Sequence, residues 1–103
     1  MSHTRPPGEF RPVPERVAVQ IGGREVVVTP TQYRILAVLL AEPGRTFGRA
    51  ELVQRAFEAP VDERTVDVHI KEIRRKLEPD ERAIETVRGR GYQLGDPALS
   101  EGA

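Results

Sequence analysis

The sequence contains no cysteine among its 103 residues. This absence excludes a disulfide framework, a thiolate nucleophile and a cysteine-based zinc site. No apolar run approaches the roughly 18 residues of a membrane-spanning helix, and the proline-rich start has no apolar signal-peptide core. We therefore expect a cytoplasmic protein that uses neither a metal nor a cofactor.

Net charge is also lacking, because 16 Lys and Arg residues balance 16 Asp and Glu residues. A zero balance argues against a generally basic nucleic-acid binder. Between residues 64 and 76, however, five cations outnumber two carboxylates. Four carboxylates between residues 78 and 85 then cancel this surplus. Any affinity for DNA must therefore come from the placement of cations and not from bulk charge.

The length allows one domain with a modest core, and a content of 38% hydrophobic and 31% charged residues favours a globular fold. Residues 1–15 contain four prolines and are predicted to be a flexible linker or arm. Residues 16–95 are predicted to form the domain, and residues 96–103 a flexible polar tail.

The stretch 62–77 has an apolar residue at every i, i+4, i+7 and i+11 position counted from Val66. At 100° per residue these side chains fall within about 40° of Val66, which predicts a helix lying on a core. The opposite face carries polar and cationic residues with one valine, namely Arg64, Val68, Lys71 and Arg75, with Thr65 and Glu72 beside them. Such a face suits the DNA major groove, where Arg and Lys meet phosphate or guanine and a small apolar group touches a thymine methyl. For a lone helix, a merely solvated charged face is the alternative.

The segments before this helix predict a hairpin and two further helices. Two β-rich runs flank Gly22-Gly23 and predict a two-residue hairpin. Thr29 is expected to cap a first, buried helix, with Gln32 closing a capping box. A second helix is predicted from Arg49 to about Phe57, and Asp62 is the expected cap of the third. A short helix, a tight loop and a longer helix with a cationic outer face are typical of a helix-turn-helix.

Residues 84–94 predict two short strands whose junction is rich in arginine and glycine. Such a hairpin can present a cationic tip to the DNA backbone or to the adjacent minor groove. Tyr92 is expected to anchor the hairpin to the core.

Catalysis finds little support in the sequence. Asp67 and His69 would lie about 200° apart on a helix, without a third ligand or a nucleophile. Asp67 is instead expected to pair with Lys71 or to orient a neighbouring arginine. The run from Arg88 to Gly91 lacks the Gly-Lys-Ser/Thr ending of a phosphate-binding loop. We therefore predict that the protein is not an enzyme.

From about Val17 to Leu94 the chain resembles the OmpR/PhoB-type winged-helix effector domain of bacterial response regulators. The resemblance rests on five motifs in order: VTPTQY at 28–33, PGRTF at 43–47, RTVDVHI at 64–70, RRKL at 74–77 and IETVRGRGY at 84–92. It implies an α+β winged helix-turn-helix with a short N-terminal antiparallel sheet, three helices and a C-terminal β-hairpin wing.

The resemblance also implies a transcription regulator of a two-component phosphorelay. Such a domain binds double-stranded promoter DNA in a sequence-specific way, often as a tandem dimer on direct repeats. It often contacts RNA polymerase through the loop that is here 58–62. Carried across by position, the resemblance places five residues toward the groove, namely Arg64, Thr65, Val68, Lys71 and Arg75. It places His69 and Arg74, on the flanks of that face, at the DNA backbone, and Arg88 at the minor groove. Glu72 and Arg90 complete the predicted DNA-binding set.

The sequence departs from the family pattern at several points. Gln32 and Phe57 stand where the family usually has Glu and Trp, and only two N-terminal strands are expected instead of four. Glu72 stands where relatives often carry a cation or a neutral polar residue. It can accept a hydrogen bond from a cytosine amine or pair with Lys76 one turn on, and the intrahelical pair is the favoured interpretation.

No receiver domain fits in the residues before this domain, so the chain is interpreted as an excised effector domain or a stand-alone regulator. A winged-helix protein-interaction module without DNA binding is the alternative function, and the zero net charge and Glu72 are its best support.

Overall fold

The computed structural model describes residues 10–95, and this part of the chain begins with a three-stranded antiparallel sheet. Its strands are β1 (Phe10–Val13), β2 (Ala18–Ile21) and β3 (Arg24–Val27), in that order across the sheet. The tight β2–β3 hairpin turns at Gly22 and Gly23. Both glycines have positive φ, as the sequence predicted for a two-residue turn.

Strand β1 corrects the predicted linker. Phe10 pairs with Ile21 and Val13 with Ala18, and Val13 is only 4% exposed. Residues 10–15 therefore belong to the fold, and the sheet has three strands where only two were expected. The prolines made this segment look unlike a strand, because proline cannot donate a hydrogen bond to a neighbouring strand. Pro12 is tolerated here because β1 lies at the edge of the sheet. The remainder of the predicted arm and the tail, 1–9 and 96–103, lies outside the described residues.

Three helices follow, α1 (Pro30–Ala41), α2 (Arg49–Ala56) and α3 (Arg64–Leu77). The capping box of α1 is confirmed: the Gln32 backbone N–H donates to Thr29 Oγ1 at 3.2 Å and the Thr29 N–H donates to Gln32 Oε1 at 3.0 Å. Helix α3 begins two residues later than predicted. Asp62 still acts at its start, because its carboxylate accepts the Arg64 N–H at 2.8 Å.

The predicted hairpin is β4 (Ile84–Val87) and β5 (Gly91–Leu94), joined by a turn at residues 88–90. The connector before α2 adds a third element to this sheet. The Phe47 N–H donates to the Tyr92 carbonyl at 2.8 Å, and the Tyr92 N–H donates to the Phe47 carbonyl at 3.0 Å. The wing is therefore joined by its backbone to the segment that leads into α2.

The core lies between the sheets and the three helices. The apolar stripe predicted for α3 is confirmed, since Val66, Ile70, Ile73 and Leu77 are each at most 1% exposed. They pack with buried residues from every other layer, including Val19, Ile21, Ile35, Leu36, Leu39, Phe47, Leu52, Ile84, Tyr92 and Leu94. Because this stripe faces the core, the opposite side of α3 points away from it.

Among residues 10–95 there is no helix of a length and hydropathy that would let it cross a membrane.

Candidate nucleic-acid interface

The side of α3 that points away from the core is open to solvent. Val68 is 61% exposed, an unusual environment for a valine in the middle of a helix. Arg64, Lys71 and Arg75 are also exposed, and Thr65 beside them is half-buried. The structure thus brings the predicted groove-facing residues together on one accessible surface. We call the surface formed by Arg64, Thr65, Val68, Lys71 and Arg75 the outer face of α3.

Glu72 adjoins the outer face and pairs within the helix. Arg75 Nη2 donates to Glu72 Oε1 at 2.8 Å, so the predicted partner Lys76 is wrong while the intrahelical pair itself is present. Lys76 turns toward α1 instead and donates from Nζ to Gln32 Oε1 at 2.8 Å. Hydrogen bonding to Arg75 lowers the pKa of Glu72, and hydrogen bonding to Glu72 raises the pKa of Arg75. Both groups therefore stay ionised at neutral pH.

Asp67 connects α3 to α2 and to the wing. Its Oδ1 accepts a hydrogen bond from Arg49 Nε at 2.7 Å and another from the Tyr92 hydroxyl at 2.5 Å. The predicted pair with Lys71 is therefore wrong, and the arginine that Asp67 orients comes from α2. Burial raises the pKa of Asp67, but the bonds from Tyr92 and Arg49 outweigh it, so the net shift is downward. Burial and the bond to Asp67 raise the pKa of Tyr92.

Arg74 holds the wing against α3. Its guanidinium donates to the Ile84 carbonyl from Nε at 3.2 Å and from Nη2 at 2.9 Å, and to Thr86 Oγ1 at 2.8 Å. The Cζ atoms of Arg74 and Arg49 also lie 5.7 and 5.5 Å from the centre of the Tyr92 ring. Tyr92 is 5% exposed, and its predicted role as the anchor of the wing is confirmed. Arg74, predicted to contact the DNA backbone, is thus used within the fold.

His69 lies on the other flank of α3 and is half-buried. Its ring centre lies 5.5 Å from that of Phe57, at an interplanar angle of 59°. Phe57 follows the last residue of α2, so this contact holds the end of α2 against α3. A DNA-backbone contact by His69 remains a prediction.

The tip of the wing is cationic and exposed. Arg88 and Arg90 occupy the turn together with Gly89, and all three are exposed. Below the tip, Gln93 Nε2 donates to Glu85 Oε1 at 2.9 Å, and Thr46 Oγ1 donates to Gln93 Oε1 at 2.7 Å. These bonds brace the strands, which leaves the two tip arginines as the groups available to a partner.

Residues 23–94 match the family model described as "Transcriptional regulatory protein, C terminal". The chain belongs to this family. PhoB of Rhizobium meliloti, a phosphate regulon transcriptional regulatory protein, is 46% identical over 77 residues, which cover 69% of this chain and 33% of that protein. The chain spans about a third of the length of the curated relatives that it matches.

Two solved structures show the same fold. The DNA-binding domain of the response regulator AdeR, in complex with an intercistronic region, is 29% identical, with a TM-score of 0.74 and coverage of 84% of this chain and 94% of that one. The DNA-binding domain of CpxR from E. coli is 27% identical, with a TM-score of 0.72 and coverage of 93% and 99%. Family and fold together confirm the predicted fold, an α+β winged helix-turn-helix of a transcription regulator. They also confirm the predicted resemblance of the chain to OmpR/PhoB-type effector domains.

Two arginines of this domain were missed by the sequence interpretation. Arg49 bonds Asp67, as described above. Arg24 Nη2 donates to the carbonyls of Leu77 and Glu78 at 2.5 and 2.8 Å and lies 3.3 Å from Asp80 Oδ2, so it holds the C-terminal end of α3. A cation suits the carbonyl end of a helix, but Arg24 is 53 residues from Leu77. Only knowledge of the tertiary packing could have found it.

Proposed function

We propose that this domain binds double-stranded promoter DNA in a sequence-specific way and thereby regulates transcription. The outer face of α3 lies in the major groove, and the wing tip reaches the minor groove. The observation that carries the proposal is the exposure of Val68 at 61% beside exposed Lys71 and Arg75. A fold that buries all of its other α3 valines and leucines gains nothing from an exposed valine there, whereas a thymine methyl would cover it.

Individual roles follow from side-chain chemistry. Arg75 offers a planar pair of donors that fits guanine O6 and N7, and Lys71 and Arg64 neutralise phosphates. Arg88 and Arg90, at an exposed turn, suit the negative potential of a narrow minor groove. None of these roles requires a cofactor, a metal or a catalytic step.

The decisive experiment begins with selection of bound sites from random duplex DNA. Binding of the wild-type protein to the selected duplex is then measured by fluorescence anisotropy between 50 and 200 mM salt. Several phosphate contacts make the affinity fall steeply as the salt concentration rises. Lys71→Ala should flatten the slope of log K against log salt by about 1, and Arg75→Ala should weaken binding about tenfold and relax base preference at one position.

Arg16→Ala is the matched control, since it removes an exposed arginine from the segment between β1 and β2 and should leave DNA affinity nearly unchanged. Unchanged affinity in both α3 variants, with unaltered circular dichroism, would contradict the proposal. Salt-independent behaviour or no selected site would instead favour the protein-interaction module. Arg88→Ala should weaken binding with little change in the selected motif, which a footprint can test.

The other partners are also part of the proposal. The loop 58–62 is exposed throughout. It carries two carboxylates, Glu58 and Asp62, and one apolar residue, Val61, which is 36% exposed. This composition suits a contact with RNA polymerase during promoter binding in the cytoplasm. In transcription in vitro, Val61→Asp should lose the regulatory effect of the wild-type protein while DNA affinity is kept. A tandem dimer on direct repeats predicts that selected sites contain two half-sites in the same orientation.

A further inference from the structure

Glu72 is a carboxylate beside a surface proposed to meet a polyanion. In the part of the chain that the structure describes, the only hydrogen bond of its side chain is the one from Arg75 Nη2 at 2.8 Å. The side chains of Arg75 and Glu72 are 67% and 47% exposed, so their ion pair contributes little to the stability of the fold. The pair is also accessible to an approaching duplex.

We propose that Glu72 is a specificity-determining residue that competes with DNA for Arg75 and releases it only at a matching sequence. The proposal rests on the proposed function, because it assigns Glu72 a role within the same DNA-binding surface. It concerns discrimination between sequences, whereas the proposed function concerns binding itself.

On DNA of arbitrary sequence the pair opposes binding. While Arg75 remains with Glu72, its charge is neutralised and releases no counterion from the DNA. If Arg75 moves to a phosphate, the Glu72 carboxylate is left unpaired in the negative potential of the duplex. Either arrangement costs the protein about one productive phosphate contact. With a slope of about −0.9 per phosphate, that contact is worth about eightfold in affinity at 0.1 M salt.

On a matching sequence both groups find new partners. Guanine O6 and N7 accept two hydrogen bonds from Arg75, and a cytosine amine can donate one to Glu72. Hydrogen bonds to the base edges then replace the bond between Arg75 and Glu72, and the loss of affinity expected on arbitrary DNA does not occur. The helix thus discriminates by weakening wrong complexes as well as by strengthening the right one.

Glu72→Gln tests the proposal, because it removes the charge and keeps the shape of the side chain. The selected duplex and a random duplex of equal length are titrated at several salt concentrations. We expect affinity for the random duplex to rise about fivefold to tenfold, with a salt slope steeper by about 0.9. Affinity for the selected duplex should change less than twofold, so the ratio of the two affinities should fall.

Two further variants complete the design. Glu25→Gln removes a carboxylate that is paired with Arg16 at 2.7 Å on the N-terminal sheet, and it controls for the change in total charge. Arg75→Ala combined with Glu72→Gln gives a double-mutant cycle. If Glu72 acts by holding Arg75, the effect of Glu72→Gln on the random duplex should shrink in the absence of Arg75.

Four outcomes would overturn the proposal. Equal gains on both duplexes, or a gain matched by Glu25→Gln, would reduce Glu72 to a general electrostatic effect. A loss on the selected duplex alone would make it a simple base contact, and no change on either duplex would make the pair irrelevant to DNA. If the wild-type protein bound no duplex at all, the proposed function itself would fail, and this result is distinguished by the wild-type titration alone.

Discussion

Replacing Gly91 with alanine should detach the wing from the helices. Gly91 has φ of +150°, and a Cβ atom there would lie 1.9 Å from the carbonyl oxygen of Phe47 and 2.8 Å from its carbonyl carbon. Both distances are far inside van der Waals contact, and both partner atoms are backbone. Strand β5 must therefore move away from the connector that leads into α2.

The magnitude follows from what that movement breaks. The two backbone hydrogen bonds between Phe47 and Tyr92 contribute about 1 kcal/mol each, and a non-glycine residue at this φ costs a further 1–3 kcal/mol or so. Gly91→Ala should therefore lower the free energy of unfolding by about 3–5 kcal/mol. In a domain of this size the midpoint of thermal unfolding should fall by more than about 10 °C.

Urea unfolding followed by circular dichroism is the assay, and Gly89→Ala is the matched control. Gly89 also has positive φ, at +74°, but a Cβ atom there would meet nothing within 4 Å. Its cost should be only the backbone term of about 1–2 kcal/mol. If the two variants unfold with free energies within about 1 kcal/mol of each other, the close packing of the wing on Phe47 is not what holds it.

Three further predictions concern contacts between elements. Asp67→Asn should lower the stability of the domain at neutral pH and make that stability less sensitive to acid, as urea midpoints between pH 3 and 7 should show. The pKa of Asp67 in the folded protein lies below the ordinary value near 4. The ionised carboxylate therefore stabilises the fold fully above that ordinary value, and this contribution is lost as the pH falls through the lower, folded pKa. Gln32→Ala removes the acceptor of two hydrogen bonds, one of them from Lys76, and should cost about 2 kcal/mol in urea unfolding, while Gln32→Glu, which keeps both acceptor positions, should not. Arg74→Ala removes hydrogen bonds to two acceptors, the Ile84 carbonyl and Thr86 Oγ1, and should destabilise the domain by about 2 kcal/mol. By releasing the wing it should also shrink the minor-groove part of a DNA footprint, and an unchanged footprint would contradict the role of Arg74 in holding the wing against α3.

Local patterns made the helices of this fold predictable. The apolar stripe of α3 and the capping box between Thr29 and Gln32 each depend on residues within a few turns of one another, and both are confirmed. Strand β1 was missed because Pro12 within it and Pro14 just after it mask any alternation, and because its partner is on β2. Helix periodicity is a property of neighbouring residues, whereas strand pairing is a property of distant ones.

The same distinction divides the candidate site. The outer face of α3 was predictable, because a helix that buries one stripe must expose the other. The flanks were not, because the angle of Arg74 around the helix does not reveal that β4 lies beside it. Asp67 is similar: its partner Arg49 is 18 residues away, so the sequence offered either Lys71 at i+4 or a neighbouring arginine and could not identify that arginine as Arg49.

The zero net charge is compatible with DNA binding because the charges are sorted by position. Arg16, Arg45 and Arg49 are each paired with a carboxylate within 2.8 Å and lie outside α3 and the wing. By contrast, Arg64, Lys71, Arg88 and Arg90 have no carboxylate within salt-bridge distance among residues 10–95, and they lie on the two elements proposed to contact DNA. At short range the attraction between a protein and DNA depends on nearby unpaired charges more than on the total charge of the protein. Such a chain can therefore bind a duplex through these elements while its remaining surface adds little non-specific affinity.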